Sequence, residues 1–216
     1  MRIIDIGITD FLKAWEYQKA IVRDVDNGLC EDTLILTEHY PVITIGRQGK
    51  SSNILKSSEF LKKNGIDIIE VDRGGDVTYH GPGQLIGYPI FKLKDRGRDV
   101  HKFLEFLEDI GRHFLTQYGL TSKKIPGLRG IWVNGKKIGS IGIGIRRWVT
   151  YHGMAININV ELTPFSFIKP CGIEDLEMTS LKELLGCDID IDEAKLQLIR
   201  SFDEKISSMA ETVYSA

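Results

Sequence analysis

The chain has 216 residues, 42% of them hydrophobic and 27% charged, with 22 glycines, three cysteines and a formal net charge of −2. That length and composition fit one globular domain, residues 1–216, with enough chain to bury a core. A balanced charge excludes wholesale nucleic-acid binding, and no apolar run approaches the roughly 20 residues of a membrane span. Three cysteines, Cys30, Cys171 and Cys187, are too few and oddly numbered for a disulfide framework. The opening MRIIDIGITD does not read as a signal peptide, so a reduced, cytoplasmic protein is the expectation.

In chain order, residues 2–7 read as a short strand. Thr9 and Asp10 then offer N-caps to a helix with Phe11, Leu12, Trp15, Ala20, Ile21, Val22 and Val25 along one stripe, stopped at Asn27-Gly28. The β-branched runs 33–37 and 42–45, separated by a turn at Pro41, predict a strand pair. Ser57 or Ser58 caps a short helix ending at Asn64-Gly65, and 66–71 is a further strand. Residues 84–91 also read as a strand, in which Pro89 argues for an edge position or a bulge.

The strongest helical pattern is 100–118. Residues 130–133 and 137–145 flank Asn134-Gly135, a strong hairpin signal, and 151–160 continues as strand. Helices near 180–185 and over 191–209 close the chain. Strands dominate between residues 30 and 160, which predicts an α+β fold: a mixed, largely antiparallel sheet with packed helices.

Three segments carry polar groups that a plain strand or turn does not need. Residues 73–84, RGGDVTYHGPGQ, combine glycines that let backbone approach a ligand with Arg73, Thr78 and His80; the same pattern suits a glycine-rich surface turn. It matches neither a Walker loop nor Gly-x-Gly-x-x-Gly. In the second segment, 134–144, Lys137 opens an apolar, glycine-alternating strand. Pointing inward, it loses solvation that its ammonium needs; pointing outward, it snorkels to water. His152, a few residues on, reads as a hydrogen-bonded core residue rather than a catalyst.

The third segment is FIKPCGI, 167–173. Of the three cysteines only Cys171 stands between Pro and Gly in a non-periodic stretch, where a nearby base would make it an acyl-accepting nucleophile; an ordinary buried thiol is the alternative. His80, His152 and Cys171 have zinc-compatible chemistry but no ligand-pair spacing, so no metal is expected. A Gly-x-Ser-x-Gly elbow at Ser140 is absent, since Ile138 takes the first glycine's place.

Taken together, DRGGDVTYHGPGQLIGYPI (72–90), GKKIGSIGIGIRRWVTYHGMAININ (135–159) and PCGI (170–173) closely resemble the lipoate–protein ligase B family of octanoyltransferases, in order and spacing over most of the chain. Gly139 is a small departure, the family more often having alanine there. The resemblance implies the fold of biotin and lipoate protein ligases. It also implies transfer of an octanoyl group from acyl carrier protein to a lysine of lipoyl domains, in 2-oxo acid dehydrogenase complexes and the glycine cleavage H protein, without a cofactor. Carried over, Cys171 matches the acyl-thioester cysteine and Lys137 the general acid/base that favours its thiolate.

The substrate-binding positions of the family fall on Arg73, Gly74, Gly75, Asp76, Val77, Thr78, Tyr79 and His80, on Ser140, Ile141 and Gly142, and on Gly153, Met154 and Ala155. Backbone N–H groups at Gly74, Gly75 or Gly153 are candidates for an oxyanion site. Val77, Ile141, Ile143 and Met154 are candidate linings for an octanoyl channel. Lys123-Lys124, Lys136 and Arg146-Arg147 are candidate docking charges for acidic protein substrates, or simply a solvated strand edge. Competing readings are an ATP-dependent ligase on the same fold, a transamidase using octanoylated H protein, and a non-catalytic metal-binding module.

Overall fold

Strands β1 (Arg2–Thr9) and β2 (Thr33–His39) run parallel because helix α1 (Phe11–Asp26) carries the chain back between them. The computed structural model describes residues 1–214, with backbone alone for residues 95, 96 and 209–214. Asp10 caps α1 by accepting from the Lys13 N–H at 3.1 Å. The helix buries Phe11, Ala14, Gln18, Ile21, Val22 and Val25, a stripe at helical spacing.

These two strands join β6 (Gln84–Ile90), β7 (Ile131–Val133), β8 (Lys136–Arg146) and β9 (Val149–Asn157) in one sheet, ordered β1-β2-β6-β9-β8-β7. Every neighbouring pair except β1/β2 is antiparallel. Helix α1 covers one face, packing on Ile35, Ile86, Tyr88, Ile90, Val149 and Ala155. Helices α3 (Val100–Thr116) and α5 (Ile191–Tyr214) cover the other, with Phe103, Leu107, Phe114, Leu198 and Phe202 in its core. The short α4 (Leu181–Leu185) sits between β9 and α5 in sequence, capped by Ser180.

The sheet is mixed and largely antiparallel as expected, but a second sheet stands beside it. Strands β3 (Val42–Ile45), β4 (Asp67–Glu70) and β5 (Val77–His80) form it in the order β4-β3-β5, with α2 (Ser58–Lys63) linking β3 to β4. The expected pairing of β2 with β3 is therefore corrected: β2 lies between β1 and β6, and β3 lies between β4 and β5. A two-residue hairpin needs a positive φ, which proline at 41 excludes and Tyr40 does not adopt, so the chain leaves one sheet for the other.

Pro89 is also in an unexpected place, since β6 is central. Leu34 pairs with it on one side; on the other, the ladder to β9 stops at Gly87–Met154. The ladder resumes where the Thr150 N–H donates to Phe91 O at 3.0 Å. Across the gap His152 adopts φ 55°, and its N–H donates to Gln18 on α1 at 2.7 Å. The Thr150 hydroxyl donates to Pro89 O at 2.6 Å. A proline is tolerated mid-sheet because the strand opposite turns away from it.

Two hairpins complete the frame. Asn134 (φ 51°) and Gly135 (φ 82°) make the two-residue turn that the sequence announces. Between β8 and β9, Arg147 (φ 50°) and Trp148 (φ 66°) make a turn of the same left-handed kind without a glycine. Side chains there are strained by about 1 kcal/mol per residue. Replacing Arg147→Asn together with Trp148→Gly is expected to raise the melting temperature by a few degrees in calorimetry. An unchanged or lower value would mean that Trp148, which stacks on Arg98, stabilises more than its strain costs.

Candidate active site

A cleft of about 690 Å³ opens between the two sheets. At one end Lys137 and Cys171, 34 positions apart, meet: Lys137 Nζ lies 3.0 Å from Cys171 Sγ and 2.9 Å from Arg129 O. Lys137 is the second residue of β8, held by β7 on one side and by residues 177–179 on the other. Its N–H donates to Glu177 O at 2.8 Å, and its carbonyl accepts from the Thr179 N–H at 2.9 Å. The side chain is only 2% exposed and lies over the Trp132 ring. The inward orientation is thus the one adopted, and the amine faces a thiol and a carbonyl.

Cys171 sits in a tight turn, 170–172, with φ 58°. A non-glycine residue held there stores about 1 kcal/mol, a device common where a side chain must be aimed. Gly172 follows with φ 71°, and a Cβ on it would lie 2.6 Å from Asp76 Oδ2, so the turn presses on the β5 loop. Arg73 lies beneath that loop, buried, donating to Thr44 Oγ1 at 2.8 Å, Thr44 O at 2.9 Å and Gly74 O at 3.0 Å. Burial lowers its pKa to about 10, partly offset by its attraction to Cys171, which leaves it charged at neutral pH. A buried cation therefore lies near the thiol.

The far end of the cleft is polar and buried. Phe11 stands among His39, His80 and His152, with ring centroids 5.1, 6.0 and 6.2 Å away. The His39 Nδ1–H donates to Thr9 O at 3.0 Å, so its Nε2 accepts from the Tyr88 hydroxyl at 2.6 Å. The His80 Nδ1–H donates to Gln84 Oε1 at 2.7 Å, and Gln84 in turn donates to Asn157 at 2.9 Å. Burial pushes His39 down to about 4 and His80 to about 3.

His152 is also pushed down by burial, which outweighs the pull of Asp72 at 3.0 Å. Burial alone would raise Asp72, but hydrogen bonds from His152 and from Tyr151 at 2.6 Å hold it at about 2. His80, His152 and Cys171 do not converge on one point: His80 and His152 flank Phe11, and Cys171 sits at the other end of the cleft. Among the described residues no three His, Cys, Asp or Glu side chains gather as metal ligands.

The three sequence segments meet in this cleft. Arg73, Gly74, Gly75, Asp76, Thr78 and His80 line one wall; Ser140, Ile141, Gly142 and Ile143, with Gly153, Met154 and Ala155, line another. Val77 and Tyr79 are the exceptions. Strand alternation turns both to the opposite face of β5, where Tyr79 packs edge-on to Phe165 at 5.4 Å. Gly74 N–H is engaged by Ile143 O at 2.8 Å, and Gly153 pairs with Gly142 in the β8/β9 ladder, so neither offers a free backbone donor for an oxyanion.

Sequence reasoning missed Val100, Leu104 and Leu128, which wall the apolar end, and the Phe11 floor. Their stripes read only as helix core or loop. The proposed docking charges are mostly paired: Lys136 with Glu177 and Glu183, Arg147 with Asp26, Lys124 with Asp109.

Comparison with known proteins places this site in a context. Residues 10–203 match the family model for the lipoyl protein ligase A/B catalytic domain. An octanoyltransferase of Geobacter metallireducens is 43% identical over 202 residues, covering 94% of this chain and 92% of the relative. Among solved structures, a T. acidophilum protein assigned as a lipoate protein ligase, with bound lipoic acid, has a TM-score of 0.80 at 20% identity; the match covers 95% of this chain and 85% of that one. The apo biotin protein ligase of Aquifex aeolicus has a TM-score of 0.57 at 13% identity, covering 98% and 71%. The fold is that of lipoate and biotin protein ligases.

The buried histidines carry a consequence for stability. His39 and His80 stay neutral in the folded chain down to about pH 4 and 3, whereas in the unfolded chain they take up protons near pH 6.5. The unfolded state thus binds more protons as pH falls from about 6.5 to 4, and stability drops through that window, by up to about 1.4 kcal/mol per pH unit for each histidine. Denaturant midpoints should fall between pH 7 and 4.5, and His39→Gln or His80→Gln should flatten the fall. Parallel curves for wild type and both variants would contradict this assignment.

Proposed function

The chain belongs to the lipoyl protein ligase A/B catalytic-domain family, and from that premise we propose how it uses the cleft. It is an acyltransferase that places octanoyl groups on protein in lipoylation, as its curated relatives are. Its acceptors are lipoyl-domain proteins. In our reading these are the lipoyl domains of 2-oxo acid dehydrogenase complexes and the glycine cleavage H protein, and the donor is octanoyl–acyl carrier protein. The single observation that carries the reading is the 3.0 Å contact between Lys137 Nζ and Cys171 Sγ at the head of an apolar cleft.

The chemistry follows from that pair. The Cys171 thiol gives its proton to Lys137, and the ammonium so formed stays beside the thiolate, with the Arg73 charge nearby. The thiolate attacks the carbonyl of the incoming thioester; the donor thiol leaves with the proton held by Lys137. One thioester is exchanged for another, so no separate activation of the acyl group is needed. The acceptor lysine amine then attacks the Cys171 thioester and passes its proton to Lys137. The Cys171 thiolate departs and the amide remains. Loss of a thioester for an amide drives the second half.

The acyl chain lies among Ile141, Ile143 and Met154, with Leu104 and Leu128 enclosing it, away from water; Val77 shares the face of Tyr79 and packs in the core behind β5. The main alternative, an ATP-dependent ligase on this fold, has no use for a cysteine held at left-handed φ against a buried lysine. In a transfer assay with octanoyl–acyl carrier protein, a lipoyl domain and no ATP, Cys171→Ser should abolish turnover. Lys137→Met should lower kcat at least a hundredfold. Turnover by Cys171→Ser close to that of wild type, or a requirement for ATP, would refute the proposal.

A further inference from the structure

Helix α3 turns one face to the core, burying Phe103, Leu107, Ile110, Gly111, Phe114 and Leu115. Glu108 is buried among them at 6% exposure. A carboxylate in an apolar face loses the hydration that its charge needs unless hydrogen bonds replace it. Both of its oxygens reach a single stretch of chain. Oε1 accepts from the Gly130 N–H at 3.1 Å, and Oε2 accepts from Arg129 at 3.2 Å.

The Gly130 N–H and the Arg129 carbonyl are the two ends of one planar peptide group. That carbonyl is the acceptor for Lys137 Nζ at 2.9 Å. A single amide therefore bridges the Glu108 carboxylate to the Lys137 amine. A negative charge at the N–H end polarises the amide and strengthens its oxygen as an acceptor. Gly130 makes the bridge possible: its φ is 131°, and a Cβ there would lie 2.7 Å from Lys137 Cε and from Gly139 O.

We propose that Glu108 is a positioning residue for the transfer reaction, fixing Lys137 Nζ against the Cys171 thiol through the Arg129–Gly130 peptide. The role rests on the reading that Cys171 and Lys137 carry the transfer. Other charges near the pair belong to different loops: Arg73 and Asp76 stand on the Cys171 side, while Arg129 is spent on Glu108. Without the carboxylate the peptide is free to turn, and the lysine loses the acceptor that opposes the thiol.

The test is a double-variant cycle read on the rate at which iodoacetamide alkylates Cys171 at neutral pH. Glu108→Ala should slow alkylation about tenfold. Glu108→Gln, which can still accept from the Gly130 N–H, should slow it less. Octanoyl transfer should lose kcat in step, with KM for the acyl donor unchanged. On a Lys137→Met background the Glu108 substitutions should have no further effect, because their action passes through the lysine.

Equal slowing with and without Lys137, or no slowing at all, would overturn the positioning role while leaving the Lys137 effect in place. If Lys137→Met alone leaves both alkylation and transfer intact, the cysteine–lysine reading itself falls, and this role with it. Glu108→Gln is near in shape to the native residue, so the cycle stands on it if the alanine variant does not fold.

Discussion

An amine and a thiol held 3.0 Å apart inside a protein set the terms for everything around them. The lysine must be dry enough that its charge is not simply solvated, and the thiol must be accessible to an incoming thioester. The fold meets both needs by placing them on different kinds of support. Lys137 belongs to a strand flanked on both sides, with its stem buried over Trp132. Cys171 belongs to a short turn braced against Asp76 and facing the cleft. Rigidity comes from the sheet and exposure from the turn.

The second sheet explains why the cleft exists. Had β3 paired with β2, the Arg73–Gly75 loop would have no frame to hold it over the large sheet. Instead β3 anchors β5, and the loop before β5 is stitched to the loop after β3 by backbone bonds from Gly46, Arg47 and Gln48. Arg73 threads beneath it with Thr44 as its main partner, a buried charge kept near the thiol by hydrogen bonds to neutral groups. The cleft is thus apolar along β8 and α3, cationic under the glycine loop, and polar but neutral at the histidine floor.

Much of this was legible in the sequence where a local rule decides the outcome. The Asp10 and Ser57 caps, the apolar stripe of α3 and the Asn134-Gly135 hairpin follow from short-range chemistry and formed as read, whereas the α1 stripe leaves Leu12 exposed and buries Gln18. Cys171 and Lys137 stood out because each broke its local pattern, and the structure brings them together. What stayed hidden depends on partners far along the chain. Nothing local says that Tyr40-Pro41 carries the chain between sheets, or that Arg147-Trp148 accept left-handed turns without glycine. Tyr79 and His80 are indistinguishable in sequence, yet pleating sends one to the core and the other to the cleft. Nothing in the sequence marks Glu108, because its partners lie more than 20 residues away.

The central claim is that the acyl group rests on Cys171 between donor and acceptor, and intact-mass spectrometry tests it directly. The purified chain, incubated with octanoyl–acyl carrier protein in the absence of ATP, should gain the mass of one octanoyl group. The adduct should be released by hydroxylamine, map to Cys171, and disappear when a lipoyl domain is added, as the domain gains the same mass. Folded protein that carries no adduct, or carries it elsewhere while still octanoylating the lipoyl domain, would contradict the account.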